Sequence, residues 1–197
     1  MKKKNIEMKK KIYILIIAMA LCGGIAFFVC GCSRYVPSGR QGMPKEYTTA
    51  YEERYGRCYD SIPYKVVALD LYSEGLSLNQ ENRIQGTGYN LYLSDIFVED
   101  ALVPGTYRSD TAAQPFTFLP GRDYEGTPHG MYLLEIEEDK VVRIQVLDSG
   151  YVVIRDTTNG LIDCAFTLYY RSTYGSRATY NCHFQGALSH GKNTLLR

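Results

Sequence analysis

His129, Asp123 and Glu125 fall in one short string, GRDYEGTPHG. An imidazole and two carboxylates are donors that a metal ion takes. The spacing that would gather them round one ion is missing, because the chain has no His-x-His, HExxH or Cys-x-x-Cys pattern. The string reads as a polar turn, and no metal is expected. His183 directly follows Cys182, the two groups a thiol nucleophile combines. Neighbouring side chains of a strand point to opposite faces, so alternation separates them. Asp70, Asp95, Glu135, Asp156 and Asp163 could supply the two carboxylates of a glycoside hydrolase, but their spacing selects no pair. There is no G-x-S-x-G elbow, P-loop or dinucleotide fingerprint. Gly86-Thr87-Gly88 precedes a strand, whereas a phosphate cradle opens a helix, so these residues read as a turn or bulge. The expectation is a chain without catalysis or cofactor.

Two further cysteines could do redox chemistry. Alternation places Cys164 on one strand face with Ile162, Phe166 and Leu168, and Cys182 on the face of the next strand with Tyr180 and Phe184. A connecting loop centred near Thr173 would set Cys164 opposite Cys182 and allow a cross-strand disulfide. The competing reading is two buried thiols acting as small hydrophobes. Cys58 is the odd cysteine, free or the partner of either.

Cys32 has a context of its own. Lys2, Lys3, Lys4, Lys9, Lys10 and Lys11 precede an apolar run from Ile12 to Val29, and Val29-Cys30-Gly31-Cys32 ends it. A basic start, an apolar stretch and a small residue before a cut make a secretory signal. Only Cys32 follows a small residue, since Cys22 follows Leu21 and Cys30 follows Val29. The segment resembles the lipobox of bacterial lipoproteins. That resemblance implies cleavage before Cys32 and acylation of its thiol and new amine, so that palmitate-like chains hold the protein on a membrane. An uncleaved transmembrane anchor is the competing reading, because the run approaches the ~20 residues that span a bilayer. Both readings put residues 33–197 outside the cytoplasm.

Without residues 1–31 the chain keeps 16 basic and 20 acidic side chains, a formal charge of −4. A mildly acidic chain with scattered cations carries no footprint for nucleic acid. It also keeps 17 of its 18 tyrosines and has no tryptophan. Tyrosine suits the rims and faces of a β-fold. A sharper reading is a sugar-stacking surface, with Tyr92, Tyr107 and Tyr124 as the exposed candidates.

The elements that must position these groups follow from periodicity. Residues 32–61 read as the lipidated cysteine, a Pro- and Gly-bearing tether and a short helix. Tyr47, Tyr51, Tyr55 and Tyr59 recur every four residues, the spacing of one helical stripe. A β-domain is expected over 62–187, where the period becomes two. Val67, Leu69 and Leu71 share a face, as do Tyr89, Leu91 and Leu93 against Asn90, Tyr92 and Ser94. Short strands at 106–108 and 116–119, then 131–137, 141–147, 151–155, 161–170 and 178–185, complete eight or nine. Turns fall at Glu137-Glu138-Asp139, Asp148-Ser149-Gly150 and Thr158-Asn159-Gly160. The last five strands read as an antiparallel meander, and residues 188–197 as a tail. The expected fold is all-β, an antiparallel β-sandwich, with a lipocalin-like β-barrel as the alternative.

The lipobox, GTGYNLYLSD, LVPGTYR and the closing YNCHFQGAL together resemble small lipoproteins of Bacteroidales-type gut bacteria. The resemblance spans about residues 62–190 and rests on turn and strand signatures. It implies an envelope location and a β-sandwich-like domain, in a setting of glycan uptake or adhesion. Surface-exported members carry acids just after the lipidated cysteine. Here SRYVPSGRQ follows Cys32, which favours the periplasmic face of the outer membrane. The leading functional expectation is a membrane-anchored binding module for a glycan or an envelope protein. The alternatives are an envelope or pilus assembly component bound by strand addition, and a hydrolase.

Overall fold

The computed structural model describes residues 42–156 and 161–190. The signal segment, Cys32, the tether up to 41, the Thr158-Asn159-Gly160 turn and residues 191–197 lie outside them. Every described element is a strand. The segment read as a helix is β1 (Glu46–Tyr47) and β2 (Thr49–Gly56). A spacing of four misled because it fits both periods: it is near one helical turn and is also twice the strand repeat. Thr48, Thr49 and the β-favouring tyrosines decide for strand. In β2 the same spacing puts Tyr51 and Tyr55 on one face.

The strands that follow are β3 (Lys65–Tyr72), β4 (Leu76–Leu78), β5 (Ile84–Gly86), β6 (Gly88–Val98), β7 (Gly105–Ser109) and β8 (Thr117–Phe118). Next come β9 (Arg122–Tyr124), β10 (Thr127–His129), β11 (Met131–Glu137) and β12 (Lys140–Val146). The last four are β13 (Ser149–Asp156), β14 (Ile162–Arg171), β15 (Arg177–Gly186) and β16 (Leu188–His190). Twelve of these form one mixed, strongly curled sheet, and β4–β5 and β9–β10 are separate two-stranded hairpins. Ten strands follow a half-barrel path in the order β1-β15-β14-β13-β7-β8-β6-β3-β2-β16, and the β11–β12 hairpin joins it on β6.

The antiparallel sandwich is thus corrected to a single curled sheet with three parallel pairs, β1 with β15, β2 with β16 and β7 with β8. Alternation tells which side a residue faces; it does not tell whether neighbouring strands make one sheet or two. The meander is also broken. β13, β14 and β15 run up and down in sequence, but β13 pairs with β7 rather than β12. Ser149 and Gly150 belong to β13, so no hairpin turn lies there. Residues 188–190, read as tail, form β16 beside β2.

β1 runs into β2 through Thr48, and β15 into β16 through Ala187. These two segments lie side by side in parallel twice, Tyr47 beside Phe184 and Ala50 beside Leu188. The path therefore returns to its own start. His190 Nδ1 lies 3.3 Å from the buried Glu52 carboxylate, which Arg54 grips with two bonds of 2.9 and 3.0 Å.

The concave side is filled by one cluster that draws on β1, β2, β3, β6, β7, β8, β11, β13, β14 and β15. Val67, Leu69, Leu71, Tyr89, Leu91, Leu93, Cys164, Phe166, Leu168, Cys182 and Phe184 are among its buried members, so the alternation read from sequence holds in these strands. The opposite side carries a second, smaller cluster of Tyr72, Leu76, Tyr132, Leu134 and Ile136, with Leu78 and Ile84 of the β4–β5 hairpin packed on it. That hairpin needs Gly86: its φ is +106°, and a Cβ there would lie 2.0 Å from the Gly75 carbonyl oxygen. The β11–β12 tip docks on the same place, with Asp139 N donating to Gly86 O at 3.0 Å and Glu138 N to Thr87 Oγ1 at 3.0 Å.

Candidate functional site: a face of tyrosines and carboxylates

The convex positions of four adjacent strands hold most of the polar aromatic chemistry. Tyr51 of β2 stands opposite Asp70 of β3, Asp70 opposite Tyr92 of β6, and Tyr92 opposite Tyr132 of β11. One row thus crosses four strands as Tyr-Asp-Tyr-Tyr. Beside it Tyr72 stands opposite Asn90, and Glu53 and Tyr55 continue β2. The chain builds the row by alternation: Val67, Leu69 and Leu71 turn inward, which turns Ala68, Asp70 and Tyr72 outward.

Hydrogen bonds knit the face. Tyr72 donates to Asp70 Oδ2 at 2.5 Å, and the Asn90 amide donates to Asp70 Oδ1 and to Leu71 O. Tyr55 donates to Glu53 Oε2. The Tyr55 and Tyr92 oxygens are 3.2 Å apart. Since the Tyr55 proton serves Glu53, Tyr92 is the donor there, and a relay runs from Tyr92 through Tyr55 to Glu53. The rings also meet, Tyr92 with Tyr132 at 5.1 Å and Tyr51 edge-on to Tyr72 at 5.7 Å.

A β-bulge extends the face. The β3–β6 register shifts between Val67 and Leu69, and Asp95 takes a φ of +54°. The extra residue re-aims a side chain. Asp95 accepts from the Tyr59 hydroxyl at 2.6 Å and from Ser94 Oγ at 2.7 Å. Tyr59 in turn covers Phe97, ring centres 6.3 Å apart. Asp70, Glu53, Asn90, Tyr72 and Tyr132 are buried, while Tyr55 and Tyr59 are exposed and Tyr51, Tyr92 and Asp95 half-buried. A buried polar layer therefore fixes an accessible aromatic rim.

Burial, then the hydrogen bond to Glu53, pushes the Tyr55 phenol far above its ordinary range. Burial and Asp95 do the same to Tyr59. Burial raises Tyr92 to about 12, and burial with Tyr92, Asp70 and Glu53 nearby raises Tyr132. Ionising any of them would set a second anion beside a carboxylate or in a dry site. The phenols stay neutral donors, poor as nucleophiles. The ring faces and oxygen lone pairs of Tyr55, Tyr59 and Tyr92 suit C–H stacking and acceptance of hydroxyl donors, whereas Tyr132 is buried.

Of the three stacking candidates, the structure places Tyr92 in this face. Tyr107 is corrected: it is 2% exposed in the concave core and spends its hydroxyl on the Val103 backbone at 3.1 Å, so it offers no ring to a ligand. Tyr124 is 66% exposed on β9, edge-on to His129, outside the row. Asp70 and Asp95, named only as possible acids, belong to the face. Glu53, Tyr55, Asn90 and Tyr132 were missed, because membership depends on cross-strand register.

The remaining candidates sit elsewhere. The β14–β15 register pairs Cys164 with Phe184 and Phe166 with Cys182. The loop is centred one residue later than Thr173, at Tyr174, which makes the cysteines diagonal neighbours rather than opposite ones. Diagonal Cα atoms stand ~7–8 Å apart, beyond the usual reach of a disulfide. Both are free buried thiols, and burial raises each to about 12. Cys58 is free and exposed. His183 does point away from Cys182, bonding Asp163 at 2.8 Å with Arg155 3.6 Å from the same carboxylate. Asp123 caps its own turn by accepting from Gly126 N at 2.9 Å. Among the described residues no group of three His, Cys, Asp or Glu side chains could hold a metal ion. No family model, no curated protein and no solved structure matches this chain.

Proposed function

We propose that this protein is a non-catalytic binding module of a bacterial envelope, held on the outer membrane by acyl chains on Cys32 and taking a glycan on its convex tyrosine face. The Cys32 context supports the anchor. The accessible part of this face, Tyr51, Tyr55, Tyr59 and Tyr92 set beside the buried Asp70 and Tyr132, is the observation that carries the ligand class. Aromatic rings stack on the C–H faces of sugars, and the rim's phenol oxygens and the half-buried Asp95 carboxylate accept sugar hydroxyls. Hydrogen bonds to Glu53 and Asp95 hold Tyr55 and Tyr59 before any ligand arrives, which lowers the ordering cost of binding. Two experiments test the two halves. Labelled palmitate should enter the wild-type chain and not Cys32→Ser; equal labelling overturns the anchor. Binding on a glycan array should fall for Tyr92→Ala and survive for Tyr124→Ala; a blank array, or loss only with Tyr124→Ala, overturns the ligand reading. An assembly role is the second reading, and the exposed edge of β12 favours it.

A further inference from the structure

We propose that β12 is a self-association edge, through which two copies of this chain pair antiparallel across a two-fold axis. β12 pairs with β11 from Lys140 to Val146 around a bulge at Val142, and no described strand lies on its other side. Among the described residues β14 approaches its closing end, where Gln145 Nε2 reaches Arg171 O at 3.4 Å. Val141, Val142 and Ile144 are 51%, 43% and 45% exposed. Register puts Ile144 beside Leu134 and Val141 beside Ile136, so these two extend the apolar part of the convex face, while Val142 is the extra residue of the bulge. An edge with no partner among the described residues, carrying exposed aliphatics, is a template for another strand.

Charge and face together choose the occupant. Lys140 and Arg143 lie on the concave side, already matched by β11: Lys140 stands opposite Glu137, and Arg143 Nε lies 2.8 Å from Glu135 Oε2. The incoming strand therefore needs no acids of its own, and a second β12 satisfies the edge. Among antiparallel registers, one that sets Lys140 against Arg143, or Arg143 against itself, opposes like charges. The register that sets Val141 against Ile144 and Lys140 against Gln145 avoids this. It also keeps aliphatics facing aliphatics on the convex side. The pair closes on itself, as a two-fold contact must. The axis stands perpendicular to the sheet, so both tyrosine faces end up on the same side of one continuous sheet. Two linked faces would hold a repeating ligand more tightly than one, although the pairing itself does not depend on what that face binds.

The test uses the full chain in detergent with Cys58→Ser. Copies bearing Val141→Cys and copies bearing Ile144→Cys are mixed and mildly oxidised. The expected result is a cross-linked product in the mixture several-fold above either copy alone; equal yields overturn the register. Analytical ultracentrifugation of the otherwise wild-type chain should show a concentration-dependent dimer. Ile144→Asp should weaken it by at least about tenfold, a change of ~1.4 kcal/mol, and Ile144→Val should not. A wild-type chain that stays monomeric at high concentration, or that binds a different protein at β12 while monomeric, overturns the proposal. Glycan binding by a monomer would leave the functional reading standing and remove only this one.

Discussion

The two sides of the sheet are built from the same strands on opposite principles. The concave side of β3 and β6 is Val67, Leu69, Leu71, Leu91 and Leu93, which need only shape and exclusion of water. The convex side offers Asp70, Tyr72, Asn90 and Tyr92, equally close in sequence and in part equally dry. There each polar atom must find a partner or cost ~1–3 kcal/mol. The contrast shows how one alternating sequence can divide its labour. One set of residues supplies stability through burial, and the other supplies a fixed arrangement of donors and acceptors whose value lies in geometry.

Substitutions on each side sharpen that contrast. The largest effect belongs to the concave side: Phe166→Ala should lose ~3–5 kcal/mol in urea unfolding and leave ligand affinity of the surviving fold unchanged. A loss below ~1 kcal/mol would show that the interior is loosely packed. Asp70→Ala should lose ~2–3 kcal/mol, because the Tyr72 hydroxyl and the Asn90 amide lose a buried acceptor. Unlike Phe166→Ala, it should also shift the ultraviolet difference spectrum of the tyrosines. A neutral result would mean the polar layer is dispensable.

Alkali should act on the convex side. Tyr92 titrates near 12 when folded because burial disfavours its phenolate, and near 10 when unfolded. Its contribution is whole below pH ~10 and fades between ~10 and 12, where only the unfolded chain releases the proton. Unfolding midpoints should fall over that window, with a shallower slope for Tyr92→Phe. An identical slope would assign the alkaline loss to other groups. The smallest effect is expected at the bare edge. Ile144→Asp should change monomer stability by no more than ~0.5 kcal/mol in urea, since the residue is half exposed. A large loss would show that β12 is already covered.

The chain disclosed faces better than neighbours. Which residues of β3, β6, β14 and β15 point inward followed from period two, because that rule is local. Pairing partners are not local. The return of β16 to β2 and the β13–β7 contact join residues far apart in sequence, and the β7–β8 parallel pair joins near neighbours without the hairpin turn that would announce an antiparallel one. The same reason hid half of the candidate site. Tyr92 stood out by its type, but Glu53, Tyr55 and Tyr132 join it only through registers on three other strands. The β4–β5 and β9–β10 hairpins were too short to show a period. Tyr107 looked like its exposed counterparts because a phenol is at home at a rim and in a core with one bond to spare.

The parallel seam has a bearing on how the molecule comes into being. Its two halves, Glu46–Gly56 and Arg177–His190, are the earliest and latest described pieces of the sheet. A chain emerging amino end first holds its opening strands in waiting until the closing ones arrive, and loops of that span are slow to shut. Maturation is thus deferred to the final moments of delivery, and a copy stopped short at residue 176 would keep β2 on β3 but leave β1 without its partner and the outer edge of β2 bare, open to proteases.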